Sequence, residues 1–160
     1  MSTRIGMGFD AHTLTEGCPL ILGGVEIPYN MRLVGHSDGD VLTHAIIDAL
    51  LGASGIGDKG VHFPSSDPTY LNASSLKLLS QTSQMVHNKG WRVINVDATI
   101  IAQRPYLRPF IESMKTKIGE VLNTSTETVS IKATTTDHMG FIGREEGMVA
   151  QAVVLLEKHK

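Results

Sequence analysis

Cysteine is nearly missing from this chain of 160 residues, in which Cys18 is the only one. A single cysteine cannot form an internal disulfide bond, and it cannot supply a zinc site that is built on thiolates. We therefore expect Cys18 to be a small, partly buried side chain without a chemical role.

Long runs of one charge and long apolar runs are missing as well. The net charge is −2, which leaves no basic surface for nucleic acid or for an anionic membrane. No apolar segment is long enough to span a bilayer. Residues 1–5 lead directly into a strand pattern and leave no room for a signal peptide, so we expect a reducing, cytoplasm-like compartment.

The composition is that of an ordinary globular protein, with 41% hydrophobic and 19% charged residues. The chain contains no repeat, low-complexity tract or linker, and its length fits one domain that spans residues 1–160. A chain of this size can bury a hydrophobic core without disulfides.

Apolar patterning predicts strands at residues 4–9, 91–102, 129–133 and 148–156. A hairpin is predicted for residues 20–22 and 25–27, because Gly23 and Gly24 suit a tight turn. The segment 148–156 is almost continuously apolar, so we expect both of its faces to be covered.

Helices are predicted for residues 41–53 and 74–88, and a third within 105–122. Asp38 or Asp40 can cap the first of these helices, and Gly52 and Gly55 mark its end. Strands and helices alternate, which predicts an α+β fold, an α/β-type sandwich with helices on a mixed β-sheet.

Asp10 and His12 form the first chemical signal. Residues i and i+2 of an extended backbone point to the same face, so this carboxylate and this imidazole can converge on one ion. His44 lies in the first turns of the predicted 41–53 helix, where it is either a core histidine or a further ligand. Two histidines and one aspartate would leave the fourth position of a zinc ion open, as in catalytic sites.

Two neighbouring features allow more than one interpretation. Asp48 follows His44 at helical spacing, so it either orients the imidazole of a metal ligand or is a solvated helix residue. The loop 36–40 precedes the helix and could present backbone N–H groups, or a hydrogen bond from His36, to a phosphate. Alternatively, Asp38 and Asp40 only cap the helix.

Five blocks carry recognisable motifs: residues 8–12, 35–45, 57–68, 96–105 and 132–147, which together span nearly the whole chain. In sequence and in order, these blocks resemble the 2-C-methyl-D-erythritol 2,4-cyclodiphosphate synthase family. The resemblance implies a mixed sheet with helices on one face, in a homotrimer whose sheets surround a central axis. It also implies an active site between neighbouring subunits.

The resemblance implies a zinc-dependent phosphorus-oxygen lyase of non-mevalonate isoprenoid precursor synthesis, in the bacterial cytoplasm or the plastid stroma. The substrate would be 4-diphosphocytidyl-2-C-methyl-D-erythritol 2-phosphate, whose own phosphate closes the ring and releases cytidine monophosphate (CMP). Zn²⁺ would be bound by Asp10, His12 and His44. A second ion, Mg²⁺ or Mn²⁺, would bridge the diphosphate near Asp137, where the family has glutamate.

The resemblance also assigns residue roles. His36 and Thr135 would stabilise the transition state, the segment 102–108 would hold cytosine, and Asp58 with the 63–67 loop would hold the erythritol part. The implied substrate contacts are Asp10, His12, His36, Ser37, Asp58, Lys59, Gly60, Phe63, Pro64, Ser65, Ser66, Asp67, Ala102, Gln103, Arg104, Pro105, Tyr106, Leu107, Arg108, Thr134, Thr135, Thr136, Asp137, Phe141 and Arg144.

Phe9, Phe141 and Arg144 correspond to residues that line a cavity on the family's trimer axis, where an isoprenoid diphosphate can bind. Arginines from several subunits suit a diphosphate group, and phenylalanines suit a prenyl tail. The alternative is two core phenylalanines and an arginine that is paired with Glu145 or Glu146.

Two other functions use the same residues. A zinc phosphoester hydrolase would need a general base such as His36 or Asp38 near the open metal position, and it would give a linear product. A non-catalytic, trimeric isoprenoid-binding module would leave the phosphate-handling segments at 58–67, 102–108 and 134–137 without a purpose.

Overall fold

A five-stranded mixed sheet carries the functional segments in the computed structural model, which describes residues 2–159. The strand order is β4-β1-β7-β5-β6. These strands are β1 (Thr3–Glu16), β4 (Met31–Leu33), β5 (Trp91–Ile101), β6 (Val129–Thr134) and β7 (Gly147–Lys158). Strands β2 (Leu20–Leu22) and β3 (Val25–Ile27) form the predicted hairpin, and Gly23 and Gly24 at its turn both have positive φ.

Strands β1, β5 and β6 run in the same direction. Both β1 and β5 are antiparallel to β7, and β6 is parallel to β5. The carboxyl ends of β1, β5 and β6 therefore meet at one edge of the sheet, where the segments 10–16, 102–108 and 134–137 lie.

The helices are α1 (Val41–Ser54), α2 (Lys59–His62), α3 (Ser75–Asn88), α4 (Ile111–Leu122) and α5 (Gly140–Gly143). Helix α1 packs on β1 and β7, α3 packs on α1 and β5, and α4 packs on β6. Short 3-10 helices occupy Pro68–Tyr70, Arg108–Phe110 and Thr126–Thr128. No helix among residues 2–159 is both long and apolar enough to cross a membrane.

Two glycines of β1 let α1 approach the sheet very closely. A Cβ atom added to Gly8 would lie 1.8 Å from the Ala45 carbonyl oxygen, and one added to Gly6 would lie 2.0 Å from that of Ala49. Asp10 and His12 follow on the same face of β1, because side chains alternate along a strand. The close approach therefore brings their side chains towards the beginning of α1.

Asp40 fixes the beginning of α1 and ties it to two other elements. Its fully buried carboxylate accepts hydrogen bonds from Thr43 N at 3.0 Å, Gly23 N at 2.9 Å, Gly24 N at 2.8 Å and Ser75 Oγ at 2.8 Å. Of the two capping residues considered for this helix, Asp40 is the cap.

The outer face of the sheet is uncovered in the single chain. Ile5, Met7 and Phe9 of β1 are 74%, 70% and 52% exposed, and Val153 of β7 is 44% exposed. The expectation that both faces of the last strand are covered is therefore wrong for one chain, because α1 covers only the inner face.

The predicted strands and helices are present, strand β4 and the short helices α2 and α5 were not predicted, and three further expectations need correction. Strand β1 continues to Glu16, so Asp10 and His12 lie inside the strand, where β7 pairs with them. The third helix begins only at Ile111, because residues 105–110 contain two prolines, Pro105 and Pro109, and form a loop and a 3-10 turn. Cys18 is exposed, since it lies in the turn between β1 and β2.

Candidate metal centre and nucleotide pocket

Asp10, His12 and His44 converge on one point between β1 and α1. Asp10 Oδ2 lies 2.8 Å from His12 Nε2 and 3.0 Å from His44 Nδ1, and the two nitrogens are 3.2 Å apart. They are the one group of three histidine, cysteine or acidic side chains among residues 2–159 whose ligand atoms all lie within 4.8 Å of one another. The three predicted ligands are thus brought together.

The second ring nitrogen of each histidine has a partner that fixes the imidazole. His12 Nδ1 donates to the Val34 carbonyl oxygen at 2.5 Å, which leaves Nε2 to face Asp10 and, once it has lost its proton, to bind an ion. His44 Nε2 lies 3.0 Å from Ser37 Oγ, which can accept its proton and leave Nδ1 free for an ion. Such outer contacts are typical of histidines that ligate metals.

The charges at the triad favour an anionic carboxylate. Burial raises the pKa of Asp10, but hydrogen bonds from His12 and His44 and the charge of Lys59 outweigh this effect and hold that pKa far below its usual range. Burial lowers the pKa of His12, but the hydrogen bond and charge of Asp10 dominate and raise it above 6.5. Asp10 is therefore anionic, whereas a proton on His12 must leave before its nitrogen can bind an ion.

The donor set fits zinc. Two imidazole nitrogens and one carboxylate oxygen are ligands that Zn²⁺ accepts, and three protein ligands leave one tetrahedral position for a substrate atom. The ligand atoms lie close enough to surround one ion, and the partners of both imidazoles hold the tautomers that ligation needs.

Asp48 does not orient His44. Its Oδ1 atom instead accepts a hydrogen bond of 2.6 Å from the backbone N–H of Lys59, and burial raises the pKa of its carboxyl group. Ser37, rather than Asp48, contacts the second ring nitrogen of His44. The signal for Ser37 is its place just before α1, whose first turn contains His44.

The loop 36–40 is held by its own side chains. His36 Nε2 donates to the Asp67 carbonyl oxygen at 3.0 Å, and Asp38 Oδ2 accepts from Ser75 N at 2.7 Å. Asp40 caps α1 through Thr43 N, whereas Asp38 accepts from Asp40 N at 3.2 Å and does not cap this helix.

The segment 58–67 lies beside the triad but reaches it through one side chain. Asp58 caps α2 by accepting from Val61 N at 3.0 Å, and Asp67 caps the following 3-10 turn at Thr69 N. The hydroxyl of Thr69 helps to lower the pKa of Asp67. Phe63 is buried, and the Nζ atom of Lys59 lies 3.2 Å from Asp10 Oδ2.

A cavity of about 840 Å³ lies at the ends of β5 and β6. It contains every residue of the predicted cytosine segment, and it also contains two of the predicted threonines, Thr134 and Thr135. The cavity residues are Ala102, Gln103, Arg104, Pro105, Tyr106, Leu107, Arg108, Ile111, Glu112, Ile131, Lys132, Ala133, Thr134, Thr135 and His138. Six of the cavity residues were not predicted: Ile111 and Glu112 begin α4, Ile131, Lys132 and Ala133 belong to β6, and His138 lies in the loop after β6.

Asp137 lies in a tight turn next to this cavity. Its φ is +50°, and its backbone N–H lies 3.3 Å from Thr135 Oγ1, whose own hydroxyl is 3.4 Å from Asp137 Oδ1. The structure does not bring Asp137 to the triad, and Asp137 does not join another metal-type cluster among residues 2–159.

The triad and the cavity are separate within one chain. The cavity contains none of the triad residues. Asp10 aligns with Ala150, Ile100 and Ala133 across β1, β7, β5 and β6, which places the two features on the same edge of the sheet. Three strand spacings separate them by roughly 14 Å.

Phe9 and Phe141 are exposed rather than buried in the core, at 52% and 44%. Arg144 is paired with Glu146, since its Nε and Nη2 atoms donate to the carboxylate at 2.9 Å and 3.1 Å. The alternative of core phenylalanines is therefore wrong for the single chain, whereas the expected arginine–glutamate pair is present.

The chain was compared with known proteins. The family model that matches is the YgbB family, over residues 3–157. The 2-C-methyl-D-erythritol 2,4-cyclodiphosphate synthase of Shouchella clausii is 57% identical over 155 residues, which cover 97% of this chain and 98% of that protein.

Two solved structures have the same fold. The bifunctional IspDF of Campylobacter jejuni is 42% identical with a TM-score of 0.96, and the match covers 99% of this chain but 43% of that longer chain. IspF of Plasmodium falciparum, solved as a CDP complex, is 32% identical with a TM-score of 0.87, and the match covers 99% and 97% of the two chains. With this agreement in sequence and fold, the chain belongs to the YgbB family.

Proposed function

We propose that the chain is an enzyme that converts 4-diphosphocytidyl-2-C-methyl-D-erythritol 2-phosphate to 2-C-methyl-D-erythritol 2,4-cyclodiphosphate and CMP. The observation that carries this proposal is the 57% identity to a protein with that synthase name over 97% of the chain. The reaction belongs to non-mevalonate synthesis of isoprenoid precursors.

The chemistry agrees with what the site contains. An oxygen of the substrate's 2-phosphate attacks the β-phosphorus of its diphosphate, the new P–O bond closes the ring, and the bond to CMP breaks. The nucleophile comes from the substrate, so the protein must position two phosphates and stabilise negative charge. Zn²⁺ bound by Asp10, His12 and His44 would supply a Lewis acid at a phosphate oxygen.

The cavity at the ends of β5 and β6 is the proposed cytidine site. It is lined by residues 102–108 and by Thr134 and Thr135, and a family relative was solved with CDP. Hydroxyl and backbone N–H groups of Thr134, Thr135 and Thr136 would donate to the phosphates. Asp137 would help to bind the Mg²⁺ or Mn²⁺ that bridges the diphosphate, since carboxylates suit these ions.

His36 and Thr135 are proposed to stabilise the transition state. Asp58, Gly60 and the loop of Phe63, Pro64, Ser65, Ser66 and Asp67 would hold the erythritol part. In support of this placement, the loop is tied to His36 through the Asp67 carbonyl oxygen, and Lys59 within the same segment reaches the triad.

We further propose a homotrimer with each active site between two subunits. Two observations support it. The triad and the cytidine cavity lie roughly 14 Å apart in one chain, so one compact substrate is served best by the triad of one subunit and the cavity of its neighbour. The uncovered face with Ile5, Met7, Phe9 and Val153 is the kind of apolar surface that subunit contacts bury.

Phe9, Phe141 and Arg144 would then surround the trimer axis and accept an isoprenoid diphosphate. The exposure of both phenylalanines supports this proposal, and the Arg144–Glu146 pair would position the guanidinium group. Calorimetry with a prenyl diphosphate should give binding that Arg144→Ala abolishes. Absence of binding to the unaltered protein would contradict it.

The two other functions have less support. Among residues 2–159, the ring of His36 donates to a carbonyl oxygen and Asp38 accepts from backbone N–H groups, so neither is placed as a hydrolase's general base at the triad. A binding module alone does not explain a cavity that matches the cytosine segment.

Phosphorus NMR of the protein with substrate, zinc and magnesium tests the proposal. We expect a cyclic diphosphate and one equivalent of CMP. Linear phosphates without a ring would indicate the hydrolase, and zinc binding without turnover would indicate the binding module. Removal of the metals should stop the reaction, and activity that survives it would contradict both enzyme functions.

A further inference from the structure

Lys59 places its ammonium group beside the three candidate metal ligands. Its Nζ atom lies 3.2 Å from Asp10 Oδ2, the same oxygen atom that His12 Nε2 and His44 Nδ1 contact at 2.8 Å and 3.0 Å. The side chain is 25% exposed, so the ammonium group is partly shielded from water. The attraction between the ammonium group and the Asp10 carboxylate falls with distance, so it is strong at this short separation.

Two aspartates position the backbone from which this side chain extends. Asp48 Oδ1 accepts the Lys59 N–H at 2.6 Å, and Asp48 lies one helical turn after His44 on α1. Asp58 caps α2, in which Lys59 is the first residue. The helix that supplies a ligand therefore also fixes the starting point of the lysine side chain.

A metal ion held by the triad would share Asp10 Oδ2 with the ammonium group. Two cations at one carboxylate oxygen repel each other, and the flexible four-carbon stem of lysine allows its ammonium group to move away. An ion held by these three ligands would have a position left for a phosphate oxygen of the substrate in the proposed reaction. This anion, next to the triad, is the nearest new partner for the displaced ammonium group.

We propose that Lys59 has two roles: it occupies the cation position beside Asp10 in the metal-free protein, and it binds a substrate phosphate once the metal is present. The first role lowers the metal affinity of the substrate-free protein. The second role neutralises phosphate charge and rests on the proposed cyclisation. Asp48 is the corresponding positioning residue, which acts through the backbone of Lys59.

The test compares Lys59→Met with the unaltered protein. Zinc affinity is measured without substrate, by competition with a chromophoric chelator, and kcat/KM is measured separately. We expect zinc to bind about tenfold more tightly to the variant, because a competing charge is gone. We expect kcat/KM to fall at least about tenfold, because a phosphate loses a charged partner.

Lys158→Met is the matched control, since it also removes a lysine whose ammonium group has a partner, the Trp91 ring at 4.8 Å, but at the other end of β7. It should change neither quantity. Lys59→Gln provides a second neutral variant if the first fails to fold. Unchanged or weaker zinc binding in a folded neutral variant would overturn the proposal that Lys59 competes with zinc for Asp10. An unchanged kcat/KM would overturn the proposal that Lys59 binds a substrate phosphate.

The outcomes also separate this inference from the proposed function. Zinc affinity without substrate does not depend on any reaction. If the unaltered protein makes no cyclic product, the proposed function and the phosphate contact fail, while the zinc measurement still decides the competition.

Discussion

Substitution of Gly8 by alanine should weaken zinc binding strongly, although Gly8 is not one of the proposed ligands. The new Cβ atom would lie 1.8 Å from the Ala45 carbonyl oxygen, whereas such contacts need at least 3.0 Å. Strand β1 and helix α1 must therefore separate by about 1.2 Å. His44 follows α1 and moves away from Asp10 and His12, and zinc–ligand distances tolerate only about 0.2 Å.

The expected magnitudes follow from this displacement. Forcing extra volume into a packed interface costs about 1–3 kcal/mol of unfolding free energy, which lowers the melting temperature by roughly 3–10 °C for a chain of this size. Zinc affinity should fall by at least about 100-fold, since one of the three ligands is lost or distorted. Chelator competition measures the zinc affinity, and differential scanning calorimetry measures the stability.

Gly52→Ala is the matched control, because Gly52 lies in the same helix and a Cβ atom there meets nothing within 4 Å. It should retain zinc and gain about 0.5–1 kcal/mol of stability, as expected for glycine to alanine in a helix. A Gly8→Ala protein with unaltered zinc affinity and melting temperature would refute the argument that this glycine sets the geometry of the site.

Four further predictions concern the site directly. His44→Ala should abolish zinc binding and activity but keep the circular dichroism of the fold; full activity without bound zinc would contradict the site. Ser37→Ala should weaken zinc binding about tenfold, because His44 loses the partner that fixes its imidazole. Asp137→Asn should weaken the magnesium dependence more than the zinc content, and an unchanged magnesium titration would count against its role. The raised pKa of His12 stabilises the zinc-free protein fully below about pH 6.5, and this contribution is lost as the pH rises through the folded-state pKa. Calorimetry of the zinc-free protein should therefore show a loss of stability as the pH rises above about 6.5 that His12→Asn lacks.

The sequence predicted the features that depend on local pattern. Strand periodicity put Asp10 and His12 on one face, and helical periodicity with a cap located α1 and His44. The metal triad could be named because the family resemblance joined two segments that are distant in the chain.

Features that depend on long-range packing could not be predicted in this way. The closeness of α1 to β1 depends on Gly6 and Gly8, whose role appears only when the helix is placed on the strand. Asp48 has helical spacing to His44, yet its carboxylate binds Lys59 N, because α2 folds back over that side of α1. The exposed outer face of β7 was not predicted, because a continuous apolar sequence is found both in strands covered by their own chain and in strands covered by another subunit.

Each proposed active site takes its metal from one subunit and its cytidine contacts from a neighbour. His44→Ala removes the first half, and Thr135→Trp fills the cavity and removes the second. Each variant alone should be inactive. When the two are unfolded, mixed in equal amounts and refolded together, random assembly should restore about a quarter of the unaltered activity, because that share of sites combines two intact halves. A mixture that stays inactive, although mass spectrometry shows mixed trimers, would place the whole site within one chain and contradict a site shared between subunits.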